Sequence, residues 1–227
     1  MDNSCIIHRV DKRIKHMKTA MIWGAAGGIG RALVDQLVAD EWDVVAISRH
    51  EELLEHTAAH SIYADVSDPF SVQRAMQAAA FEVTEVDLWI YAAGDIVVTP
   101  VGDMKPDMWN RVLSANMTGA YLTTHYSLPL LAPNAHLFYI GAISERLRLP
   151  GFSAYAAAKA GVEAFAETVR KEQRQLRVTT VRPSAVATAF WEKVPLRMPA
   201  AAAPPSKIAG KIITAFEEGH TGVLDIV

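Results

Sequence analysis

The chain has 227 residues, of which 51% are hydrophobic, and its formal net charge is −3 at pH 7. This length and composition suit one domain with a large buried core, and they exclude a disordered chain. The slightly acidic balance gives no electrostatic basis for binding nucleic acid or an anionic membrane surface. We expect no membrane span, because no run of about 18 uncharged apolar residues occurs.

A basic segment precedes the first apolar run. It carries five cations, Arg9, Lys12, Arg13, Lys15 and Lys18, and it lacks the apolar core of a secretory signal. We predict that residues 1–18 form a disordered extension and that residues 19–227 form a single domain. The only cysteine, Cys5, cannot form an internal disulfide, which favours a reducing compartment such as the cytoplasm.

Apolar, β-branched runs alternate with amphipathic stretches along the rest of the chain. The runs predict strands at 19–24, 43–47, 61–64, 86–92, 135–140, 177–182 and 223–227. Helical periodicity predicts helices at 28–39, 71–80, 107–131, 153–175 and 206–218. This alternation predicts an α/β fold, a Rossmann-type doubly wound parallel sheet of about seven strands flanked by helices.

A glycine cluster follows the first predicted strand, in the sequence Gly24-Ala-Ala-Gly27-Gly28-Ile29-Gly30. A glycine turn between a strand and a helix lets the backbone approach a pyrophosphate, and the amides of the helix N-terminus carry partial positive charge. The spacing is GxxxGxG rather than the GxGxxG of the common dinucleotide fingerprint. The turn favours a dinucleotide site, with a plain tight turn as the alternative.

An arginine ends the second predicted strand, in the sequence Ile47-Ser48-Arg49. NAD-binding folds place a carboxylate there for the ribose hydroxyls, whereas an arginine suits the additional phosphate of NADP. A guanidinium can hold a phosphate by two parallel hydrogen bonds, so Arg49 favours NADP(H) over NAD(H), with a plain surface arginine as the alternative. Asp65, after the third strand, is either a partner of the adenine amino group or a turn aspartate.

Tyr155 and Lys159 are four residues apart in a helical segment, so their side chains share a face. A free tyrosine has a pKa of about 10 and is a poor acid–base at neutral pH. We expect the adjacent ammonium to lower that pKa, so that Tyr155 can exchange a proton with a carbinol oxygen. Spacing alone does not distinguish this pair from an amphipathic tyrosine beside a solvated lysine.

Further motifs surround this pair in a fixed order. They are the glycine turn, Asp65-Val66, Ala92-Ala93-Gly94, Asn116, Pro150-Gly151-x-Ser153-Ala-Tyr155-xxx-Lys159 and Arg182-Pro183-Ser184-xxx-Thr188. Together they resemble the short-chain dehydrogenase/reductase (SDR) family over residues 19–227. The ordered set is specific, although no single member is.

The resemblance implies a nicotinamide-dependent oxidoreductase that interconverts a carbonyl and an alcohol by hydride transfer. By motif position, Tyr155 is the acid–base, Lys159 binds the nicotinamide ribose, and Asn116 holds a water of the proton relay. The resemblance and the turns together give these cofactor-binding candidates: Gly24, Gly27, Gly28, Ile29, Gly30, Ser48, Arg49, Asp65, Val66, Ala92, Ala93, Gly94, Tyr155, Lys159, Pro183, Val186 and Thr188.

Three positions depart from the family pattern. Trp23 replaces a structural threonine, and Ser184 replaces a glycine. Ala142 stands thirteen residues before Tyr155, where the family has its substrate-binding serine. Losing one hydrogen bond to a developing oxyanion costs about 3 kcal/mol. We expect Ser144, as a further catalytic residue, or a group of the substrate to compensate, or the enzyme to be slow. A solvent-exposed loop serine is the alternative for Ser144.

The segment 189–198, after Thr188, is the natural substrate lid in this family. Its apolar members, Phe190, Trp191, Leu196 and Met198, are candidates for a cover that excludes water, or for packing on the core or a partner subunit. The expected substrate is a small or medium carbonyl compound or alcohol.

SDR relatives pair through the two long helices, so we expect a homodimer or homotetramer. The candidate interface residues are Met108, Trp109, Val112, Tyr121, Phe165 and Val169, with the alternative that about half of them cover the sheet instead. The main alternative function is a non-catalytic dinucleotide-binding sensor on the same fold, which Ala142 favours. We expect no metal, because the sequence has no HExxH motif and no Cys/His cluster.

Overall fold

Seven parallel strands form one sheet in the computed structural model, which describes residues 17–227. The strands are β1 (Thr19–Trp23), β2 (Asp43–Ser48), β3 (His60–Tyr63), β4 (Val86–Tyr91), β5 (Leu131–Ile140), β6 (Arg177–Pro183) and β7 (Gly222–Ile226). Their order across the sheet is β3-β2-β1-β4-β5-β6-β7, and every pairing is parallel. The predicted doubly wound α/β fold is confirmed.

The order of strand addition reverses between β1 and β4. From β1 the sheet grows through β2 to β3 on one side, and then from β4 to β7 on the other. At such a switch point a crevice opens outside the carboxyl ends of the strands, and ligands bind there. The loops after β1 and β4 carry the glycine turn and the segment 92–94, so the topology places both motifs at this crevice.

Helices cover both faces of the sheet. One face carries α1 (Gly28–Ala39) and α6 (Pro205–Glu217), and the other carries α2 (Pro69–Glu82), α4 (Gly119–Ser127) and α5 (Ser153–Glu172). Strand side chains alternate between the faces: Ile22 and Ile90 pack towards α1, whereas Trp23 and Tyr91 pack towards α2. Both faces are buried, which explains why the strands are apolar at consecutive positions.

The segment predicted at 107–131 is helical from 106 to 130, but it is not a single regular α-helix. Helix α3 (Pro106–Leu113) passes through a π-helical turn at Ser114–Thr118 into α4, and β5 already begins at Leu131. Pro129 lies in the short 3-10 helix that follows α4, and without a backbone N–H it does not continue an α-helix. Single π turns inside helices are frequent at functional sites, and this one contains Asn116.

Residues 1–16, and with them most of the predicted extension, lie outside the described part of the chain. The Lys18 carbonyl accepts a hydrogen bond from the Asp43 amide at 3.0 Å. The Lys18 Nζ lies 5.2 Å from the ring centroids of Trp42 and Phe216. Lys18, one residue before β1, therefore contacts the folded unit. Between residues 17 and 227, no helix has the length and apolar character needed to cross a membrane.

Candidate active site

The backbone at the end of β1 requires glycine. Gly24 has a φ of 84°, and a Cβ there would lie 2.5 Å from the Ala93 backbone nitrogen. A Cβ on Gly30 would overlap the Gly24 carbonyl oxygen. Helix α1 begins at Gly28 without a side-chain cap. Its first amides, including that of Ile29, have no side-chain acceptor at the helix start and suit an anionic group.

A cavity of about 610 Å³ opens at the carboxyl ends of β1 to β4. Small-molecule sites typically measure about 300–1,000 Å³. The structure brings together around this cavity nine of the predicted cofactor-binding residues: Gly24, Gly27, Ser48, Arg49, Asp65, Val66, Ala92, Ala93 and Gly94. The cavity and its glycine cradle fit the adenosine and pyrophosphate part of a dinucleotide.

Part of this lining was not predicted from the sequence. Asp107, Asn110, Arg111 and Ser114 project into the cavity from α3 and the π turn. Their i, i+3, i+4, i+7 spacing makes a polar stripe on one helix face, and that signal was available in the sequence. The other missed residues are Ala26, Ile47, His50, Ala64, Ser67, Asp95 and Ala115.

Ser48, Arg49 and Asp65 form the polar end of the cavity. The Ser48 Oγ accepts a hydrogen bond from the His50 amide at 3.1 Å, which fixes the turn that exposes Arg49. The Asp65 Oδ1 accepts from the amide and hydroxyl of Ser67, at 2.9 and 2.7 Å. Burial raises the pKa of Asp65, but these hydrogen bonds and the charge of Arg49 outweigh it and hold that pKa below its usual value. Asp65 is therefore ionised at neutral pH.

Tyr155 and Lys159 share a face of α5, as their spacing predicts. The Lys159 Nζ lies 5.6 Å from the centroid of the Tyr155 ring and donates a hydrogen bond to the Ile140 carbonyl oxygen at 2.8 Å. Lys159 is only 6% exposed. Burial lowers the pKa of Lys159 to about 8 and raises the pKa of Tyr155 above its ordinary value.

The expectation of a lowered pKa for Tyr155 is wrong in this structure, because burial raises it. The ammonium bonds to the main chain of β5 and not to the phenol. Removal of water disfavours the phenolate and raises the pKa of Tyr155. Tyr155 is therefore protonated at neutral pH.

Asn116 is fully buried in the π turn. Its Nδ2 donates to the carbonyl oxygens of Asp95 and Val112, at 2.7 and 2.8 Å. Its Oδ1 has no hydrogen-bond partner among the described residues. A Cβ on Gly94 would lie 2.8 Å from this oxygen and 3.7 Å from the Lys159 Nζ. Asn116 and Lys159 therefore meet beside Gly94, and the unsatisfied oxygen is suited to a water or ligand donor.

The candidates after β6 lie outside the cavity lining. Pro183 is buried at the end of β6, and Val186 forms a β-bridge with Ala203. Thr188 caps a short 3-10 helix at Ala189–Lys193. A Cβ on Gly28 would overlap the Cγ2 of Thr188. Thr188 therefore lies directly on the glycine turn.

An apolar cluster surrounds the Tyr155 ring. Its buried members are Ile96, Phe152 and Val194, and its partly buried members are Val98, Tyr155, Phe190 and Trp191. The ring centroids of Tyr155 and Phe190 are 5.5 Å apart. Phe190 and Trp191 thus cover Tyr155, whereas Leu196 and Met198 are exposed and do not contribute to the predicted cover.

Ala142 lies in the loop after β5, and a short 3-10 helix at Ser144–Leu147 follows it. The side chain of Ser144 lies outside the described part of the structure. Its substitution for the missing serine stays a prediction.

Three of the six candidate interface residues pack within the chain, as the alternative expects for about half of them. Val112 and Val169 are buried within the chain, and Phe165 packs edge-on against Tyr139, with ring centroids 5.9 Å apart. Trp109 and Tyr121 are exposed.

Known proteins resemble this chain in sequence and in fold. A model of the short chain dehydrogenase family matches residues 18–198. The 3beta-hydroxysteroid dehydrogenase 1 of Eggerthella lenta is 30% identical over 187 residues, which cover 75% of this chain and 71% of that protein. The 2-dehydro-3-deoxy-L-rhamnonate dehydrogenase (NAD(+)) of a Sphingomonas species is 28% identical over 163 residues, 68% of this chain and 66% of that one.

Among solved structures, the 3-ketoacyl-(acyl-carrier-protein) reductase of Brucella melitensis complexed with NADH superposes with a TM-score of 0.83. It is 20% identical, and the match covers 92% of this chain and 96% of that one, which supports the fold assignment. The family match extends over most of the chain, from the glycine turn through Tyr155 to the segment after β6. The chain therefore belongs to the short chain dehydrogenase family and is an oxidoreductase that uses a nicotinamide dinucleotide to interconvert carbonyls and alcohols.

Proposed function

We propose that this oxidoreductase uses NADP(H) and that Tyr155 is its general acid–base. One observation carries the assignment of Tyr155: Lys159 lies against its ring, and the Lys159 Nζ and the Asn116 Oδ1 both lie beside Gly94, at the edge of the cavity. The dinucleotide, when bound, supplies or accepts the hydride. The protein positions the reactants and transfers the proton. The intact set of Tyr155, Lys159 and Asn116 supports an enzyme rather than a non-catalytic sensor.

Different residues of the chain would bind each part of the cofactor. The amides of Gly28, Ile29 and Gly30 face the pyrophosphate, and Arg49 binds the additional phosphate of NADP(H). Asp65 uses its Oδ2 for the adenine amino group, since Ser67 already occupies Oδ1. Ala92, Ala93 and Gly94 line the adenosine end. Pro183, Val186, Thr188 and Lys159 serve the nicotinamide and its ribose.

The proton comes from the Tyr155 hydroxyl in the reduction. Because burial keeps the phenol protonated, Tyr155 donates its proton to the substrate oxygen as that oxygen gains negative charge. The Lys159 ammonium beside the ring stabilises the phenolate left behind. A water that donates a hydrogen bond to the Asn116 Oδ1 returns a proton to Tyr155. Oxidation of an alcohol follows the same path in reverse.

NAD(H) is the alternative cofactor. The name of one relative specifies NAD(+), and the Brucella structure contains NADH. Arg49 supports NADP(H) instead, because it is an exposed cation at the end of β2 and the strand ends without an acid. Ser48 supports the same reading, since its hydroxyl holds the turn that carries Arg49.

The surroundings of Tyr155 support a small or medium carbonyl substrate with an apolar body. The cluster of Ile96, Phe152, Phe190 and Trp191 supplies apolar surface around the ring. We retain Ser144 as the group that replaces the serine missing at Ala142.

The assembly we propose is a homodimer or homotetramer. The exposed apolar residues Trp109, Met117 and Tyr121, on α3, the π turn and α4, supply the contact. The lone Cys5 supports a cytoplasmic location.

The test is turnover with NADPH and with NADH over a panel of aldehydes, ketones and diketones. We expect hydride transfer to at least one carbonyl, with the higher kcat/KM for NADPH. Dinucleotide binding without turnover of any member of the panel would support the sensor instead. A higher kcat/KM with NADH would overturn the cofactor assignment alone.

A further inference from the structure

A segment after β6 crosses the cofactor crevice from one wall to the other. We call residues 188–193 the strap. Its first residue, Thr188, lies on Gly28 in the turn after β1. Its last residue, Lys193, reaches Asp95 in the loop after β4, with 2.7 Å between Nζ and Oδ1. Because β1 and β4 are the strands between which the sheet reverses, the strap spans the switch point where the dinucleotide enters.

The strap binds to the carboxylate of Asp95, and other contacts hold that carboxylate in place. It is 6% exposed, and its Oδ1 also accepts from the Ile96 amide at 2.9 Å. Its Oδ2 lies 2.8 Å from the Arg111 Nε on α3. Burial raises the pKa of Asp95, but the bonds from Lys193 and Ile96 and the nearby charges of Lys193 and Arg111 hold it below its usual value. Asp95 is thus a fixed carboxylate at neutral pH.

The same residue contacts the proposed proton relay. The Asp95 carbonyl oxygen accepts from the Asn116 Nδ2 at 2.7 Å, and Asn116 is the buried amide of the π turn. The strap in turn carries Phe190, whose ring lies 5.5 Å from that of Tyr155. The side chain and the main chain of Asp95 therefore connect the cover of Tyr155 with the group that orients a water beside it.

The pair differs from an ordinary surface ion pair. The Lys193 side chain is 52% exposed, but its partner is almost completely buried. Removing one charged partner of a buried group has a larger effect than removing one of two exposed charges. In the part of the chain that the structure describes, one other side-chain hydrogen bond joins the strap to a residue outside it. It runs from the Trp191 Nε1 to the Val186 carbonyl oxygen at 2.8 Å, on the β6 side of the crevice. Among the described residues, the pair of Lys193 and Asp95 is the hydrogen-bonded tie that spans the crevice.

We propose that Lys193 and Asp95 are positioning residues that hold the strap over Tyr155 and set the rate of dinucleotide exchange. The inference rests on the proposed function only in taking the crevice as the dinucleotide site. The methyl group of Thr188 lies on Gly28, so lifting the strap uncovers this part of the glycine turn. Lifting the strap separates Lys193 from Asp95.

The first test measures the strap in the protein alone, by hydrogen exchange of the amides of residues 189–193. We expect exchange about tenfold faster in Lys193→Met, the usual consequence of losing one hydrogen bond to a charged group. Asp95→Asn should reproduce this increase, and Lys193→Arg should stay near the wild-type rate because it keeps the cation. Lys211→Met removes an exposed lysine on α6 and is the control expected to leave the strap unchanged.

The second test measures release of NADPH by stopped-flow displacement. At low salt, Lys193→Met should release NADPH about tenfold faster than the wild type. The difference should shrink in about 1 M salt, where screening weakens the wild-type pair. Equal strap exchange and equal release in wild type and Lys193→Met would overturn the inference. If the wild type bound neither NADPH nor NADH, the proposed function would fail, and hydrogen exchange would still decide whether Lys193 holds the strap.

Discussion

The Lys159 ammonium lies 5.6 Å from the centre of the Tyr155 ring and is held there by the Ile140 carbonyl at 2.8 Å. The acceptor is a main-chain carbonyl oxygen of β5, so this hydrogen bond fixes the lysine whether or not the phenol is ionised. Burial lowers the pKa of Lys159 to about 8, close to the pH of ordinary assays. The charge next to Tyr155 therefore changes within a range that kinetics can reach.

We predict that kcat/KM for carbonyl reduction falls as the pH rises through about 8. A lysine is charged below its pKa and neutral above it, and the neutral amine no longer stabilises a phenolate. A pH–rate profile from about pH 6 to about pH 10 measures this fall in kcat/KM. Its midpoint should lie well below the ordinary lysine pKa of about 10.4. A profile that stays flat across this range would contradict the assigned role of the ammonium.

Lys159 should also lower the stability of the fold at neutral pH. Its pKa falls from 10.5 in the unfolded chain to about 8 in the folded one. The unfolded state binds more protons between these values, so wild-type stability rises with pH in that window and is reduced below it. We predict that Lys159→Met raises the free energy of unfolding at pH 7 by about 1–2 kcal/mol, less than the full effect because the Ile140 carbonyl loses its donor.

Urea unfolding at neutral pH and at about pH 10 measures this difference, since the ordinary lysine begins to lose its proton near the upper value. The gap between the two proteins should narrow at the higher pH. A methionine variant less stable than the wild type at neutral pH would show that the ammonium is not destabilising.

Arg49 should determine the preference between cofactors. Arg49→Gln should raise the KM for NADPH by about 10- to 100-fold, the usual effect of losing hydrogen bonds to a charged group, and leave the KM for NADH unchanged. Arg49→Asp should lower the KM for NADH as well, because a carboxylate accepts from the ribose hydroxyls. Arg74→Asp, at an exposed arginine of α2, is the matched control. Steady-state kinetics with both cofactors that show no change in preference would refute the assignment.

His136 should make the fold sensitive to acid. Its Nε2 lies 2.8 Å from the Thr179 Oγ1, whose hydroxyl donates to the His220 carbonyl at 2.7 Å. Nε2 therefore carries the hydrogen, and Nδ1 has no partner among the described residues. Burial is the main reason that the pKa of His136 falls to about 3, because a proton on Nδ1 would lack both water and an acceptor.

The sign of the effect follows from the depressed pKa. The unfolded chain binds a proton on His136 below pH 6.5, whereas the folded chain does so only near pH 3. The contribution of His136 to the free energy of unfolding is fully present above pH 6.5. It is lost as the pH falls below that value, by at most about 1.4 kcal/mol per pH unit. The ring of Phe138 lies 4.1 Å from that of His136, between centroids, so His136→Phe keeps an aromatic contact and should flatten the pH dependence of stability. Equal slopes in the two proteins, from urea midpoints between neutral and acid pH, would contradict this.

The fold was predictable because its signals are local. Helix α1 has the predicted bounds, since a glycine turn and an apolar stripe both mark its start. The π turn was not predictable, because apolar spacing continues through it and one extra residue leaves no mark in a periodic pattern. The early start of β5 at Leu131 depends on its pairing with Val86, a tertiary contact that overrides the turn residues Pro133 and Asn134.

The site was predictable where one motif supplies it and not where distant segments meet. The residues at the ends of β1, β2 and β4 line the cavity as expected. The pair of Asp95 and Lys193 is separated by 98 positions, and no local pattern links the two. The rise in the Tyr155 pKa depends on how tightly the cluster around Phe190 excludes water, which only packing determines.

Turnover by Tyr155→Phe tests the central claim most directly. The substitution removes the hydroxyl and leaves a ring to pack against Phe190. We predict that kcat with NADPH and a carbonyl substrate falls by about 10²- to 10⁴-fold, the usual contribution of a general acid–base, and that NADPH affinity is retained. A phenylalanine variant with the wild-type kcat would contradict the assignment of Tyr155 as the proton donor.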